Sequence, residues 1–185
     1  MMDSNFFALI SRMRYIARWG LMRNALPENI QEHSHMVAVL AHALGVIRRD
    51  IFHKPCDVNA LATAALYHDA SEILTGDMPT PIKYDNPAIR KAYKEVEAVA
   101  EEKLLHMLPE EFQPVYAPIL TVTDPETERL VKAADKLSAY IKCVEELKAG
   151  NNEFREAAAQ TRAALEGYGL PEVAYFLETF LPSFS

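Results

Sequence analysis

Tyr67-His68-Asp69-Ala70-Ser71-Glu72 is the stretch around which the rest of the chain is organised. It closes an apolar, alanine-rich run that begins at Leu61, and that run is typical of a buried helix. If the helix continues through this stretch, His68, Asp69 and Glu72 share one flank, because residues three and four positions apart are neighbours on a helix surface. The stretch alone also fits an ordinary helix end with polar residues in water. Its meaning therefore depends on partners elsewhere in the chain.

The composition is that of a globular protein of one domain. The chain has 185 residues, of which 50% are hydrophobic and 24% are charged, and this suits a single domain over residues 1–185. The net charge of −7 argues against binding to a nucleic acid polymer or an anionic membrane, because both require a basic surface. The first residues have no signal-peptide pattern, and no apolar run reaches the ~18 residues of a membrane span. We therefore expect a cytoplasmic protein.

Apolar residues recur at helical spacing along most of the chain, and no segment has a convincing strand pattern. We predict an all-α bundle of six or seven helices. The predicted helices cover residues 4–18, 29–47, 57–74, 86–108, 124–150, 152–166 and 171–180. Their starts are indicated by residues suited to the N-cap position, which are Asp3 or Ser4, Asn29, Asp57, Asn86, Asp124 and Asn152. We expect Gly76 to end the third helix and the proline-containing segment 109–118 to be irregular.

Two of the six histidines stand out by their position. His33 opens the second predicted helix, and His68 closes the third. A metal site needs about three or four ligands on elements that converge in space. With Asp69, these histidines provide three, and Asp135 is the best fourth because it lies on a later helix between apolar or small neighbours. We expect the remaining histidines to be solvent-exposed or off this face: His35, His42, His53 and His106.

A His, then a His-Asp pair, then a distant Asp, all on helices, resembles the HD-domain phosphohydrolase superfamily. The short segments Glu32-His33-Ser34 and Lys132-Ala133-Ala134-Asp135 fit this resemblance, as does the hexapeptide Tyr67-His68-Asp69-Ala70-Ser71-Glu72. More narrowly, the chain is similar to the bacterial 5′-deoxynucleotidases of the YfbR-like family. The segments that carry this closer likeness are residues 18–19, 21–24, 28–29, 75–84 and 145–154. The likeness extends over nearly the whole chain.

The resemblance implies a helical bundle that holds a divalent metal ion between its helices. Members of the superfamily with two metals use two further histidines between the His-Asp pair and the last Asp, and here that interval contains only His106. We therefore expect one metal per subunit, held by His33, His68, Asp69 and Asp135. Two imidazoles and two carboxylates suit several transition metals, zinc among them, and the resemblance favours cobalt, manganese or copper. It also implies a homodimer.

Three further residues are expected to act on the substrate. Glu72 is the candidate general acid or base, which either activates the attacking water or protonates the leaving 5′ oxygen. Arg18 is the candidate phosphate partner, because a guanidinium binds two phosphate oxygens in a fork. Trp19 lies in a Gly-containing break between helices. A core position would be its ordinary role, but its ring would equally well form a wall that excludes a sugar 2′-hydroxyl.

The loop 77–80 follows Gly76 and contains a proline that stiffens it. Asp77 is the candidate acceptor for the sugar 3′-hydroxyl. Met78, Pro79 and Thr80 are expected to line the sugar and base pocket without reading the edges of the base closely. A plain proline turn is the alternative for this loop.

The resemblance implies a metal-dependent phosphomonoester hydrolase that acts on deoxyribonucleoside 5′-monophosphates, tolerates different bases and selects against ribonucleotides. Another HD phosphohydrolase activity is the first alternative, as a phosphodiesterase or a deoxynucleoside triphosphohydrolase. Triphosphate recognition would need more basic residues than Arg18, Arg23 and Lys83 provide. A non-catalytic nucleotide-binding module is the second alternative, and the full set of ligands with Glu72 argues against it.

Overall fold

In a computed structural model of the protein, residues 4–83 and 86–184 are described, and their regular structure is helical apart from one isolated β-bridge between Ala17 and Asn29. This confirms the predicted all-α bundle. The α-helices are α1 (Phe6–Ile10), α2 (Ile30–Val46), α3 (Val58–Tyr67), α4 (Glu72–Thr75), α5 (Thr80–Lys83), α6 (Pro87–His106), α7 (Gln113–Leu120), α8 (Pro125–Lys148), α9 (Arg155–Gly167) and α10 (Pro171–Thr179). Single 3₁₀ or π turns occupy Ser11–Tyr15, Ile47–Ile51, Asn152–Phe154 and Leu181–Phe184.

Side-chain caps set the start of the longer helices, as the sequence predicts. Each cap oxygen accepts a hydrogen bond from the backbone N–H three residues later, which satisfies one of the free donors at a helix N-terminus. The caps that do so are Asn29 for α2, Asp57 for α3, Asn86 for α6 and Asp124 for α8. Proline in the first turn of α6 and α8 suits these starts, because its missing N–H would have no partner there.

The main core forms where α2 crosses between α3 and α8, and α10 closes it from one side. Apolar residues at helical spacing make the contact, and they include Val37, Leu40, Leu44, Leu61, Leu130, Leu137 and Ile141. Gly45 lets α3 approach α2 closely, since a Cβ there would lie 3.1 Å from Leu61 Cδ2. The three elements that carry the predicted ligands are therefore packed rigidly against one another.

The predicted helix over residues 57–74 is wrong in one important place. α3 ends at Tyr67, and a tight turn over residues 68–71 separates it from α4. The backbone N–H groups of Ala70 and Glu72 bond the carbonyl oxygens three residues back instead of four. The His68 ring also bonds the Ala65 carbonyl, so this side chain takes up an acceptor at the helix end. His68, Asp69 and Glu72 therefore do not share a helix flank. Gly76 does end α4, with a φ of 76°.

Three other local predictions need correction. The first predicted helix is shorter, since α1 is followed by a 3₁₀ turn and extended backbone at Ile16. Asn5, not Ser4, precedes α1, and Asp3 lies outside the described residues. Within the segment expected to be irregular, residues 113–120 form α7, where Pro114 is tolerated in the first turn. Asn151, one residue before the expected Asn152, caps the 3₁₀ turn that leads into α9.

Candidate active site

The four predicted metal ligands come together from three elements, and we call them the ligand cluster. His33 lies on α2, His68 and Asp69 on the turn after α3, and Asp135 on α8. His33 Nε2 is 3.1 Å from Asp135 Oδ1 and 3.6 Å from Asp69 Oδ2. His68 Nε2 is 3.1 Å from the same Asp69 oxygen. Residues about 100 positions apart in the chain thus aim their donor atoms at one point.

Both imidazoles are held so that Nε2 faces the cluster. The His68 Nδ1–H donates to the carbonyl oxygen of Ala65 at 2.7 Å, which leaves Nε2 as the nitrogen with a free lone pair. On His33, Nδ1 lies 3.3 Å from the hydroxyl of Ser138, one turn along α8 from Asp135. The two Nε2 atoms are buried and have no hydrogen-bond partner among the described residues. Their second nitrogens are occupied in the way that orients metal-binding histidines.

The cluster has the spacing of a metal site. One donor atom each from His33, His68 and Asp135 lies within 4.8 Å of the others, and Asp69 Oδ2 is close to both imidazoles. Ligands bound at ~2.0–2.2 Å to one ion lie roughly 3–3.5 Å apart. The observed separations and the two unsatisfied nitrogens therefore fit a divalent cation held by two imidazoles and two carboxylates.

The carboxylates of the cluster are strongly favoured in their charged form. Burial alone would raise the pKa of Asp69, but His68, His33 and Arg18 outweigh it and hold the pKa well below its usual range. Asp135 behaves in the same way, because the nearby His33 imidazole outweighs the effect of burial on its pKa. Negative charge at the cluster is what a cation requires.

Glu72 lies beside the cluster at the start of α4 and is buried, with 5% of its surface exposed. Its Oε2 atom has no hydrogen-bond partner among the described residues. Burial, followed by the negative charges of Asp69 and Asp77, raises the pKa of Glu72 to about 10. This carboxyl lines the adjoining cavity and is placed to exchange a proton with a group bound there.

A cavity of about 740 Å³ opens directly from the cluster, and Asp69, Glu72 and Asp135 form its floor. This volume is in the range of small-molecule sites. Its walls are the segment 18–22, the loop 77–79, part of α8 and one face of α9. The ligand cluster therefore adjoins a space large enough for a small organic substrate.

Arg18 and Trp19, the predicted phosphate and sugar residues, both line this cavity. Arg18 Nη1 lies 3.4 Å from Asp69 Oδ2, so the guanidinium lies next to the ligand cluster. The Trp19 ring packs against Phe154 with 5.2 Å between ring centroids. Trp19 has a φ of 59°, an uncommon conformation for a bulky residue that suggests a functional constraint.

The loop after α4 forms the opposite wall. Asp77, Met78 and Pro79 line the cavity and are half-buried. Burial raises the pKa of Asp77, and the charge of Arg18 partly offsets this. The side chain of Thr80, which the sequence also predicts to line the pocket, lies outside the described residues.

The structure adds residues that the sequence analysis did not assign. Lys83 and Lys136 line the cavity, and so do four residues of α9, which are Glu156, Ala157, Gln160 and Thr161. Lys136 directly follows a predicted ligand, which was a usable signal. Nothing in the α9 sequence marks it as a wall, because its contribution depends on how α9 docks on α8. The other four histidines are exposed, as expected: His35, His42, His53 and His106.

The charge of the cavity limits what it binds. Arg18, Lys83 and Lys136 are its lining cations, and Lys83 is paired with Glu97 at 2.7 Å. The acidic lining residues are more numerous: Asp69, Glu72, Asp77, Asp135, Glu153 and Glu156. One phosphate group beside Arg18 and a cation is well matched to this balance, whereas a triphosphate would need more positive charge.

Comparison with known proteins places these features in context. The sequence profile described as 5′-deoxynucleotidase YfbR-like matches residues 5–184. The chain is 51% identical to the 5′-deoxynucleotidase VP0926 of Vibrio parahaemolyticus over 186 aligned residues, which cover 100% of this chain and 96% of that protein. It is 50% identical to the 5′-deoxynucleotidase YfbR of Escherichia coli, with 100% and 94% covered.

Solved structures share the fold. An HD-domain phosphohydrolase from Listeria innocua superposes with a TM-score of 0.83 at 27% identity, over 97% of this chain and 88% of that one. The cyanophage S-2L HD phosphohydrolase DatZ, solved with dA and one catalytic Zn²⁺ ion, superposes with a TM-score of 0.65 at 23% identity, over 95% and 96% of the two chains. The predicted bundle with metal ligands on its inner helices is thus an HD-domain fold.

Proposed function

This chain belongs to the YfbR-like 5′-deoxynucleotidase family, and on that premise we propose that it hydrolyses deoxyribonucleoside 5′-monophosphates to deoxyribonucleosides and phosphate. The observation that carries the proposal is the ligand cluster: its two buried Nε2 atoms have no hydrogen-bond partner among the described residues, and its Asp69 and Asp135 line a substrate-sized cavity. It is a phosphoric monoester hydrolase that tolerates different bases. Its single domain spans residues 1–185.

His33, His68, Asp69 and Asp135 hold one divalent transition metal ion per subunit. The chemistry that such an ion supplies when bound is neutralisation of phosphate oxygens and a lower pKa for a bound water. Two nitrogen and two oxygen ligands suit Co²⁺, Mn²⁺ or Cu²⁺, and Zn²⁺ is compatible with the same set. We propose Co²⁺ or Mn²⁺ as the first ions to test.

Arg18 binds the substrate phosphate beside the ligand cluster. Its Nε and Nη1 atoms already have carboxylate partners, and three of the five guanidinium N–H bonds remain for phosphate oxygens. A charge-assisted fork of this kind holds the phosphorus in one orientation and stabilises the charge on its oxygens as the transition state forms. Arg18 therefore orients the group that reacts.

Glu72 moves the proton in this reaction. A water oxygen attaches to phosphorus while the bond from phosphorus to the 5′ oxygen breaks, so the water loses a proton and the leaving oxygen gains one. Glu72 is a carboxyl that lines the cavity, and its Oε2 accepts no hydrogen bond from any described residue. It acts as the base toward the water, the acid toward the 5′ oxygen, or both in turn.

Selection for deoxyribose comes from the cavity walls. The Trp19 ring is held against Phe154 and leaves no room for a 2′-hydroxyl. Asp77 accepts a hydrogen bond from the 3′-hydroxyl. Met78 and Pro79 contact the sugar and base without a polar readout of the base. These roles explain a preference for the sugar with tolerance for the base.

We further propose that the protein is a cytoplasmic homodimer that binds neither nucleic acid polymers nor membranes. The net charge of −7 and the acidic lining of the cavity support the first exclusion. Within residues 4–83 and 86–184, no helix combines the length and the apolar character that crossing a bilayer requires. Sedimentation velocity of the purified protein tests the dimer.

The direct test is a phosphate-release assay with dCMP and dTMP beside CMP and UMP, in the presence of Co²⁺ or Mn²⁺. We expect release from the deoxyribonucleotides and at least ~10-fold lower kcat/KM for the ribonucleotides. Equal rates on both sugars would remove the role given to Trp19. No release from any monophosphate would overturn the proposed function. Deoxynucleoside triphosphates and cyclic nucleotides in the same assay test the alternative HD activities.

A further inference from the structure

Glu28 touches both residues that the proposed function places against the phosphate and the sugar. Its Oε2 atom accepts a hydrogen bond from Arg18 Nε at 3.1 Å and another from Trp19 Nε1 at 3.0 Å. The side chains of Glu28 and Arg18 are 16% and 13% exposed, so water competes little for this contact. One carboxylate oxygen therefore links the guanidinium to the indole.

The backbone repeats this connection. The Arg18 N–H donates to the Glu28 carbonyl oxygen at 3.0 Å, and the neighbouring Ala17 and Asn29 form the one β-bridge in the described parts of the chain. Trp19 needs such support because its φ of 59° is unfavourable for a residue with a Cβ. The Glu28 side chain thus holds the ring of a residue whose backbone is already constrained by the same short pairing.

Glu28 also determines where the guanidinium points. Arg18 has two carboxylate partners, Glu28 through Nε and Asp69 through Nη1. Asp69 belongs to the ligand cluster. If Glu28 is removed, Arg18 loses one of these two hydrogen bonds and keeps the one to Asp69, so the guanidinium is drawn toward a residue that should face a cation. Glu28 keeps the Arg18 fork between the cluster and the cavity.

We propose that Glu28 is a positioning residue that couples the phosphate-binding guanidinium of Arg18 to the indole of Trp19 through one shared acceptor oxygen. The inference rests on the proposed function for the identity of the substrate, but its central claim concerns a link between two side chains. An anion that binds Arg18 therefore changes the environment of the Trp19 indole. The indole keeps its position against the sugar only while Glu28 accepts hydrogen bonds from both Arg18 and Trp19. Phosphate binding by Arg18 and sugar selection by Trp19 therefore both depend on Glu28.

Trp19 is the only tryptophan of the chain, so its fluorescence reports this link without any turnover. The probe is inorganic phosphate titrated into the purified full-length protein. We expect the emission of the wild type to change on addition of phosphate and the response to be lost in Glu28→Ala. In Glu28→Gln the response should be retained, since an amide oxygen also accepts two hydrogen bonds. Glu32→Gln is the matched control, because Glu32 is exposed on the neighbouring turn.

Sugar selectivity gives a second readout that a general loss of structure does not move. We expect the ratio of kcat/KM for dCMP to that for CMP to fall about tenfold in Glu28→Ala, the size of effect of losing one charge-assisted hydrogen bond. Glu28→Gln and Glu32→Gln should keep the ratio within about twofold of the wild type. A structural defect alone would lower both rates together and leave the ratio unchanged.

The outcomes separate this inference from the proposed function. Absence of hydrolysis in the wild type overturns the proposed function, while the phosphate response of Trp19 still tests the link. A wild-type emission that ignores phosphate, or a Glu28→Ala variant that keeps both the response and the ratio, overturns the link. So does a Glu28→Gln variant as impaired as Glu28→Ala. If circular dichroism shows that Glu28→Ala is unfolded, Glu28→Asp replaces it, since the shorter side chain reaches only one donor and should behave as the alanine variant is expected to.

Discussion

Helix α8 passes two buried polar clusters, and they differ in whether the protein itself satisfies their polar atoms. The first, which we call the anchor, consists of Lys142, Glu146 and Asn151. Glu146 accepts hydrogen bonds from the backbone N–H groups of Ala25 and Leu26, each at 2.9 Å, and from Asn151 at 2.7 Å. Lys142 pairs with Glu146 and also donates to the Leu26 carbonyl. The anchor therefore ties the loop before α2 to the end of α8.

The ligand cluster lies about two turns earlier on the same helix, beginning at Asp135. Within the described parts of the chain, the Nε2 atoms of His33 and His68 are buried here without a hydrogen-bond partner, and so is Oε2 of the adjacent Glu72. Such atoms are rare in folded proteins, because each costs about 1–3 kcal/mol when no bond compensates for lost water. Both clusters are buried and charged, but only the anchor is complete without a ligand.

The difference separates two uses of buried charge. A cluster whose donors and acceptors are all paired fixes the position of a segment, here the loop that leads to Glu28. A cluster that keeps two imidazole nitrogens and a carboxyl oxygen unpaired is organised around something the polypeptide does not supply. Disrupting the anchor should lower stability, whereas disrupting the ligand cluster should abolish function.

The largest effect is expected from Asp135→Ala. Loss of one carboxylate from the ligand cluster should remove the bound metal and reduce hydrolysis of dCMP to background. Metal content measured by mass spectrometry, together with the assay, checks this. Added cation at 100 times its Kd should stabilise the wild type by about 2.7 kcal/mol and leave the variant unchanged. A variant with full metal content and activity would show that Asp135 is not a ligand. Glu145→Ala, on the exposed face of α8, is the control.

Glu72→Gln should keep the metal and lose turnover. The amide has the same shape but transfers no proton, and general acid–base catalysis contributes about 10²- to 10⁴-fold. We expect kcat to fall by that factor while metal content stays at the wild-type level. Normal turnover in this variant would mean that the proton moves through another group.

Glu146→Ala tests the other side of the comparison. It leaves Lys142 as a buried charge without its partner and the N–H groups of Ala25 and Leu26 without an acceptor, a change that costs about 3–5 kcal/mol. Urea unfolding measures the loss, and metal content should stay normal in the protein that folds. Glu145→Ala, its exposed neighbour, should change stability by less than about 0.5 kcal/mol. Equal stabilities of the two variants would contradict the role given to the anchor.

Lowering the pH should reveal the contribution of the anchor to the stability of the wild type. Burial opposes the charged form of Glu146, but its hydrogen bonds to Lys142, Asn151, Ala25 and Leu26 outweigh this and lower its pKa to about 2, from 4.5. A lowered pKa in the folded state contributes stability that is complete above pH 4.5 and is lost as the pH falls toward 2. The contribution is about 3 kcal/mol. The difference in unfolding free energy between the wild type and Glu146→Gln should therefore shrink over this range. A constant difference would place the pKa elsewhere.

The helices that the sequence predicts well are those with local signals. The starts of α2, α3, α6 and α8 follow from cap residues and first-turn prolines, which act within four residues of chain. The break after Tyr67 has no such local signal, because it depends on how the His68 ring meets the Ala65 carbonyl. The prolines of α7 are typical of an irregular segment, although Pro114 lies in the first turn of the helix, where proline is tolerated.

The site residues likewise fall into those with a local sequence signal and those without one. The spacing of the His-Asp pair, together with the family resemblance, indicates which residues serve as ligands and which carboxyl is left for proton transfer. Glu28 had no role assigned from the sequence, because its importance depends on one oxygen that reaches both Arg18 and Trp19. The α9 wall likewise depends on docking between helices.

The fold class, the helix caps and the residue types of the ligand cluster follow from the sequence, because they depend on local periodicity and on short motifs, and the family resemblance follows from longer matching segments. Which atoms face one another depends on the packing of the helices. Hydrogen bonds and metal ligation act over ~2–3.5 Å, whereas the residues that come together here lie as far apart in the chain as Leu26 from Glu146 and His33 from Asp135. The packing of the helices therefore determines that the polar atoms of the anchor are paired within the protein and that those of the ligand cluster are left for a ligand.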